Sequence, residues 1–150
     1  MSDDERWMQT ALEEAQKALE HQDVPIGAVV VLNHKIIGKG HNRRVIDDDP
    51  LAHAEMLAIR DAAKTLGHWR LDGATIYVTL EPCPMCAGAL VQTRLQKVVW
   101  AADDPKAGAA RSRYQLCDDR RMPHRLEIQY GLCHGASREL LASFFAQRRK

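Results

Sequence analysis

Apolar residues at Trp7, Met8, Ala11, Leu12, Ala15, Ala18 and Leu19 recur with the period of an amphipathic helix, and Ser2 with Glu5 has capping-box spacing at its start. Pro25 closes that region. Ile26 to Leu32 is a short β-branched run, Asn33-His34-Lys35 a turn and Ile36 to Gly40 a second run, so the pattern predicts a hairpin. Pro50 announces a second helix, with Met56, Ile59, Ala63 and Leu66 on its apolar face and Gly67 as its stop.

Thr75 to Leu80 reads as another strand, after which Glu81-Pro82-Cys83-Pro84 turns into a helix reaching about Thr93, and Lys97 to Ala101 is the next strand. A strand, helix and strand of this length form a crossover with parallel strands. Asp103 to His124 is polar, Gly-containing and Arg-rich, a long loop with room for a helical turn, and its length suits a binding role. Leu126 to Tyr130 reads as a last strand. Leu140, Leu141, Phe144 and Phe145 line one side of a terminal helix ending in Arg148-Arg149-Lys150.

A chain of 150 residues and 16.9 kDa, 45% apolar and 27% charged, suits one globular domain over 1–150 and excludes global disorder. The longest apolar runs fall far short of the roughly 18 residues of a membrane span. Met1 to Glu5 is acidic and polar, unlike a secretory or transit leader, which sets the expectation of a cytoplasmic location without membrane partners. The net charge of +1 hides an asymmetry. Residues 1–75 carry nine Lys and Arg against thirteen Asp and Glu, and residues 76–150 carry twelve against seven. Arg111, Arg113, Arg120, Arg121, Arg125, Arg138, Arg148, Arg149 and Lys150 form either a phosphate footprint or a solvated face.

In a reducing compartment the four cysteines are not expected to pair as disulfides. Cys83 and Cys86 form Cys-x-x-Cys, while Cys117 and Cys133 stand apart. Two thiolates and the imidazole of His53 are three ligands for Zn²⁺, leaving the fourth tetrahedral position to water, as in catalytic sites. Helix starts at His53-Ala54-Glu55 and Pro82-Cys83-Pro84-Met85-Cys86 favour the thiolates by position. Glu55, two residues from His53, is placed to move the water's proton.

His-x-Glu with Pro-Cys-x-x-Cys resembles the signature of zinc-dependent nucleobase deaminases. The resemblance extends through Val24-Pro25-Ile26-Gly27-Ala28-Val29, Gly40-His41-Asn42-Arg43, Asp49 to Met56, Tyr77 to Ala89, Asp104 to Ala109 and Phe144-Phe145. In order and spacing these segments are similar to the bacterial tRNA-specific adenosine deaminases over nearly the whole chain. The resemblance implies an α/β fold: a three-layer α/β/α sandwich with a mixed central sheet, cytidine-deaminase-like. It also implies one Zn²⁺ per subunit, a homodimer, and conversion of the wobble adenosine of a tRNA anticodon stem-loop to inosine. Glu55 is then catalytic, and His53, Cys83 and Cys86 bind the metal. Asn42 and the Ala54 N–H would orient the base, with Asp104, Lys106, Phe144, Phe145 and Arg149 meeting the loop. Leu51, Arg111, Pro123 and Gly135 to Arg138 depart from the family pattern, all outside the zinc constellation.

The same residues fit other functions. A deaminase of a free base or nucleoside, guanine or cytosine, would use the same centre, and a noncatalytic zinc-bearing RNA-binding module would not need Glu55. Asn42 by itself reads as a turn residue, and at least one of Phe144 and Phe145 is expected in the core. Gly38 to Arg43 lacks the third glycine and the helix of a dinucleotide fingerprint. His124, His134, Cys117 and Cys133 match no second metal pattern.

Overall fold

The computed structural model describes residues 1–148. Helix α1 spans Asp3–Leu19, and its Ser2–Glu5 capping box forms as the sequence predicts. Strands β1 (Gly27–Leu32) and β2 (Lys35–His41) make the hairpin. Asn33 and His34 both take positive φ, 52° and 60°, the requirement of a two-residue turn whose twist matches the strands. Helix α2 (Ala54–Leu66), β3 (Thr75–Leu80), α3 (Pro84–Gln92), β4 (Lys97–Ala102), β5 (Glu127–Tyr130) and α4 (His134–Arg148) follow.

The strands form one sheet in the order β2-β1-β3-β4-β5. β1 is antiparallel to β2 and β3, while β3, β4 and β5 run parallel, so the sheet is mixed. Both faces of β1, β3 and β4 are buried, which explains their nearly unbroken apolar sequences. On one face Ala28, Val30, Ile76, Val78, Val98 and Trp100 pack with Ala54, Ala58 and Ala62 of α2 and Ala87, Leu90 and Val91 of α3. On the other, Val29, Val31, Tyr77, Val99 and Ala101 meet Met8 and Ala11 of α1, and α4 lies against β4 and α1. The result is the expected three-layer α/β/α sandwich.

The buried face of α2 differs from the predicted one. Ala54, Ala58 and Ala62, with Ile59, face the sheet, whereas Leu66 is 39% exposed and Met56 and Ala63 are only half-buried. Helix α2 sits so close to β2 that large side chains have no room between them. A Cβ on Gly40 would lie 2.4 Å from the Ala54 carbonyl oxygen, and one on Gly38 would lie 2.4 Å from that of Ala58. Alanine on the helix and glycine on the strand together permit this approach.

The 103–124 segment forms successive turns and no helix. Its first half is organised by the buried Glu81, whose carboxylate accepts backbone N–H groups of Asp104 (3.0 Å), Ala110 (3.2 Å), Arg111 (2.8 Å) and Ser112 (2.8 Å), and the Ser112 hydroxyl. Burial opposes charge on Glu81, but the Ser112 donors and the Arg111 and Asp104 amides outweigh it and hold the carboxyl below the usual range. Gly108 passes so near that a Cβ would stand 2.3 Å from the Glu81 carboxyl carbon.

Substituting Gly40→Ala is expected to push α2 off β2, costing about 1–3 kcal/mol as overpacking does. Urea unfolding measures it, and an unchanged midpoint would contradict the close-approach account.

Candidate active site

Two helix starts converge at the carboxyl end of β3. His53 is the N-cap of α2 and Cys83 the N-cap of α3, with Pro84 behind it and Cys86 in the first turn. Neither cap side chain bonds its own helix, so both are free to face the space between them. Each helix directs its partial positive charge and unpaired N–H groups there.

His53 Nδ1 lies 3.6 Å from Cys83 Sγ and 3.5 Å from Cys86 Sγ, and the three ligand atoms all fall within 4.8 Å of one another. Tetrahedral zinc, with Zn–N near 2.0–2.1 Å and Zn–S near 2.3 Å, separates nitrogen from sulfur by about 3.5 Å. The donor set therefore fits such an ion in type and spacing. Three ligands leave one position open. It is the one metal-ligand cluster of this kind among the described residues.

The protonation pattern reflects the crowding. Cys83 is pushed down to about 4, chiefly by the hydrogen bond from Cys86 and against its burial, with His53 helping. Cys86 is driven upward because Cys83 takes the charge of the pair and burial disfavours a second thiolate. His53 is raised by its hydrogen bond to Cys83, against burial. Glu55, only 4% exposed, is pushed up to about 7, mainly by burial. A carboxyl titrating near neutrality can both take and return a proton.

His53, Glu55 and Cys83 line a cavity of about 210 Å³, with Cys86 behind its wall. Asn42, Ala54 and Asp104 line it as well. The Asn42 amide is buried and fixed from both ends: its Nδ2 donates to the Val24 carbonyl at 3.2 Å and its Oδ1 accepts the Arg44 N–H at 3.2 Å. It therefore serves the turn as well as the wall. Asp104 is set by Glu81, and its Oδ1 accepts the N–H groups of Lys106 and Ala107. Lys106 is exposed and does not line the cavity.

Phe144 and Phe145 lie in an adjoining groove of about 340 Å³ that shares Val24, Asn42 and Arg44 with the cavity. Phe144 is buried and Phe145 is 46% exposed, so one belongs to the core and the other faces outward. Arg148 closes the far end, its guanidinium 5.2 Å from the Phe144 ring centroid. Arg149 lies outside the described residues. The basic residues divide: Arg111 and Arg121 are held by Asp103 and Asp119, while Arg148 is at the groove.

Sequence reasoning singled out neither Arg44 at the seam of the two hollows nor Glu81 and Ala107 in the cavity wall. Position was the available signal. Arg44 follows the end of β2, and Glu81 directly precedes the Pro-Cys-x-x-Cys turn.

The family model of MafB19-like deaminases matches residues 2–149. A tRNA-specific adenosine deaminase of Bacillus subtilis (strain 168) is 49% identical over 150 residues, covering 100% of this chain and 93% of the relative. A solved structure from a study of A-to-I editing by tRNA:A34 deaminases at the wobble position of transfer RNA superposes with TM-score 0.87 at 42% identity, covering 91% of this chain and 99% of that one. A guanine deaminase from Nitrosomonas europaea shares the fold, with TM-score 0.77 at 24% identity, covering 95% of this chain and 84% of that one.

Titration with Zn²⁺ is expected to give one tight site per chain with release of protons, because the ligands must deprotonate to bind. A Cys83→Ser, Cys86→Ser double variant should lose it. Full retention in that variant, by elemental analysis, would remove these cysteines from the centre.

Proposed function

We infer, since this chain belongs to the MafB19-like deaminase family, that it hydrolytically deaminates the wobble adenosine of a tRNA anticodon stem-loop to inosine. One observation favours RNA over a free base: the cavity holding His53, Cys83 and Glu55 continues through Val24, Asn42 and Arg44 into a groove leading to Phe145 and Arg148. A single base would fill the cavity and leave the groove without a purpose. Residues 1–150 act in this reading as one deaminase domain.

His53, Cys83 and Cys86 would hold one zinc ion. Bound there, zinc supplies Lewis acidity that lowers the pKa of water toward neutrality. Glu55 takes one proton from the attacking water and gives it to the purine ring nitrogen, then takes the remaining proton from the new C6 hydroxyl and gives it to the departing amine. The C6–O bond forms and the C6–N bond breaks, so adenosine and water give inosine and ammonia. Asn42 and the Ala54 N–H orient the base. The Asn42 N–H is tied to the Ile26 carbonyl at 3.0 Å and Ala54 opens α2, so both are held in place before the base arrives.

An anticodon loop suits this site because its bases are already partly unstacked, and flipping one costs less than extracting it from a duplex. Asp104, Lys106, Phe144, Phe145 and Arg149 are assigned to the rest of the loop. The exposed Phe145 offers a stacking face, and the buried Phe144 supports it from 5.3 Å, edge-on. Homodimer assembly is supported by the apolar side chains that α2 turns away from the sheet, Met56, Ala63 and Leu66. Among the described residues no helix is long and apolar enough to cross a membrane. A tRNA substrate supports a cytoplasmic location.

Glu55→Ala is expected to keep its metal and fold while losing at least about a hundredfold in turnover, the effect of deleting a general acid–base. Inosine detected by sequencing treated tRNA and stem-loops, beside ammonia release from free guanine, cytosine and nucleosides, checks both chemistry and substrate. Efficient guanine deamination without inosine in tRNA would decide for the free-base reading. Sedimentation equilibrium is expected to give twice the 16.9 kDa chain mass, and a monomer at micromolar concentration would remove the dimer.

A further inference from the structure

Asp23 lies in the connection between α1 and β1, and its side chain is almost wholly buried at 1% exposure. Its Oδ1 accepts the N–H of Val45 at 2.8 Å, and its Oδ2 accepts the N–H of Ile46 at 3.2 Å. The same Oδ2 is 2.7 Å from His21 Nδ1. Asp23 is itself tied down, since its N–H donates to the Ala18 carbonyl at the end of α1 at 3.0 Å. The His21 ring packs against that of His41 at 5.3 Å, so the donor that aligns the carboxylate is also fixed.

The segment thus held needs holding. Val45 and Ile46 are 65% and 50% exposed, so no core contact fixes their side chains. Yet Val45 lines the groove and the adjacent Arg44 lines both hollows. The remaining backbone bonds of this stretch are turns within it and the Asn42 contact to Arg44. Among the described residues, Asp23 is the link that hydrogen-bonds the amides of its tip to the body of the protein.

We propose that Asp23, aligned by His21, is a positioning residue for substrate: by holding the Val45 and Ile46 amides it fixes the turn that carries Arg44, at the seam of the cavity and the groove, and Val45, in the groove wall. The substrate half of this rests on the functional reading above. A carboxylate is suited to the task because it has acceptors for all three donors and no N–H of its own. Asparagine would keep the shape but turn an NH₂ toward a donor.

The test compares Asp23→Asn, Asp23→Ala and His21→Phe with the wild-type protein, all loaded with zinc. Amide exchange at Val45 and Ile46 is expected to speed by about tenfold or more in both Asp23 variants, while amides of β3 stay protected. KM for an anticodon stem-loop should rise by about tenfold or more, with kcat less affected and zinc content unchanged. His21→Phe should show a smaller change in the same direction. Unchanged exchange at Val45 and Ile46 would overturn the anchor, and faster exchange with an unchanged KM would overturn its role toward substrate. Should the wild-type protein make no inosine, the functional reading and the substrate half fall together, and exchange alone still decides the anchor.

Discussion

Everything at this site depends on how closely α2 can approach the sheet. His53 and Glu55 sit in the opening residues of that helix, and Cys83 and Cys86 in those of α3, so the donor atoms meet only if both helix starts are held at fixed height above the strands. On α2 that height is set by alanines against Gly38 and Gly40, a contact with no side-chain volume to adjust. A donor spacing of 3.5–3.6 Å tolerates little displacement, because a coordinated ion fixes its ligand distances to within about 0.2 Å. The plainest packing in the protein thus carries its most demanding geometry.

Glu55, in the first turn of the same helix, is buried as well. A carboxyl taken out of water resists ionising, and here that resistance brings it to about 7 instead of leaving it fully charged. Helix packing and proton chemistry are thereby one constraint: a looser α2 would hydrate Glu55 as well as spread the ligands.

Most of the secondary structure was legible in the sequence, as was the donor set. The elements are short, strongly patterned and punctuated by Pro and Gly, and ligands at the starts of helices leave a spacing that survives without coordinates. The apolar face of α2 was not legible. Hydrophobic periodicity weights Met56 and Leu66 above alanine, whereas here proximity favours the smallest residues. The loop from 103 to 124 was correctly read as irregular, but its order comes from Glu81, more than twenty residues earlier in the chain. No local pattern announces a contact of that separation.

Three buried carboxylates surround the site, and their partners distinguish their roles. Glu55 has chiefly the ligand cluster beside it and its own backbone N–H, and is driven toward the neutral form. Glu81 gathers four backbone amides and a hydroxyl and is held as an anion. Asp23 gathers two amides and a histidine. The donor-rich pair organise loops on either side of the cavity, Glu81 the Asp104 wall and Asp23 the Arg44 wall. Loops that must follow an irregular ligand cannot be held by a regular ladder, and a buried carboxylate can collect several N–H groups without imposing helix or strand on them. The walls can therefore have irregular shapes and still be rigid, which a site that must select one base from a flexible strand requires.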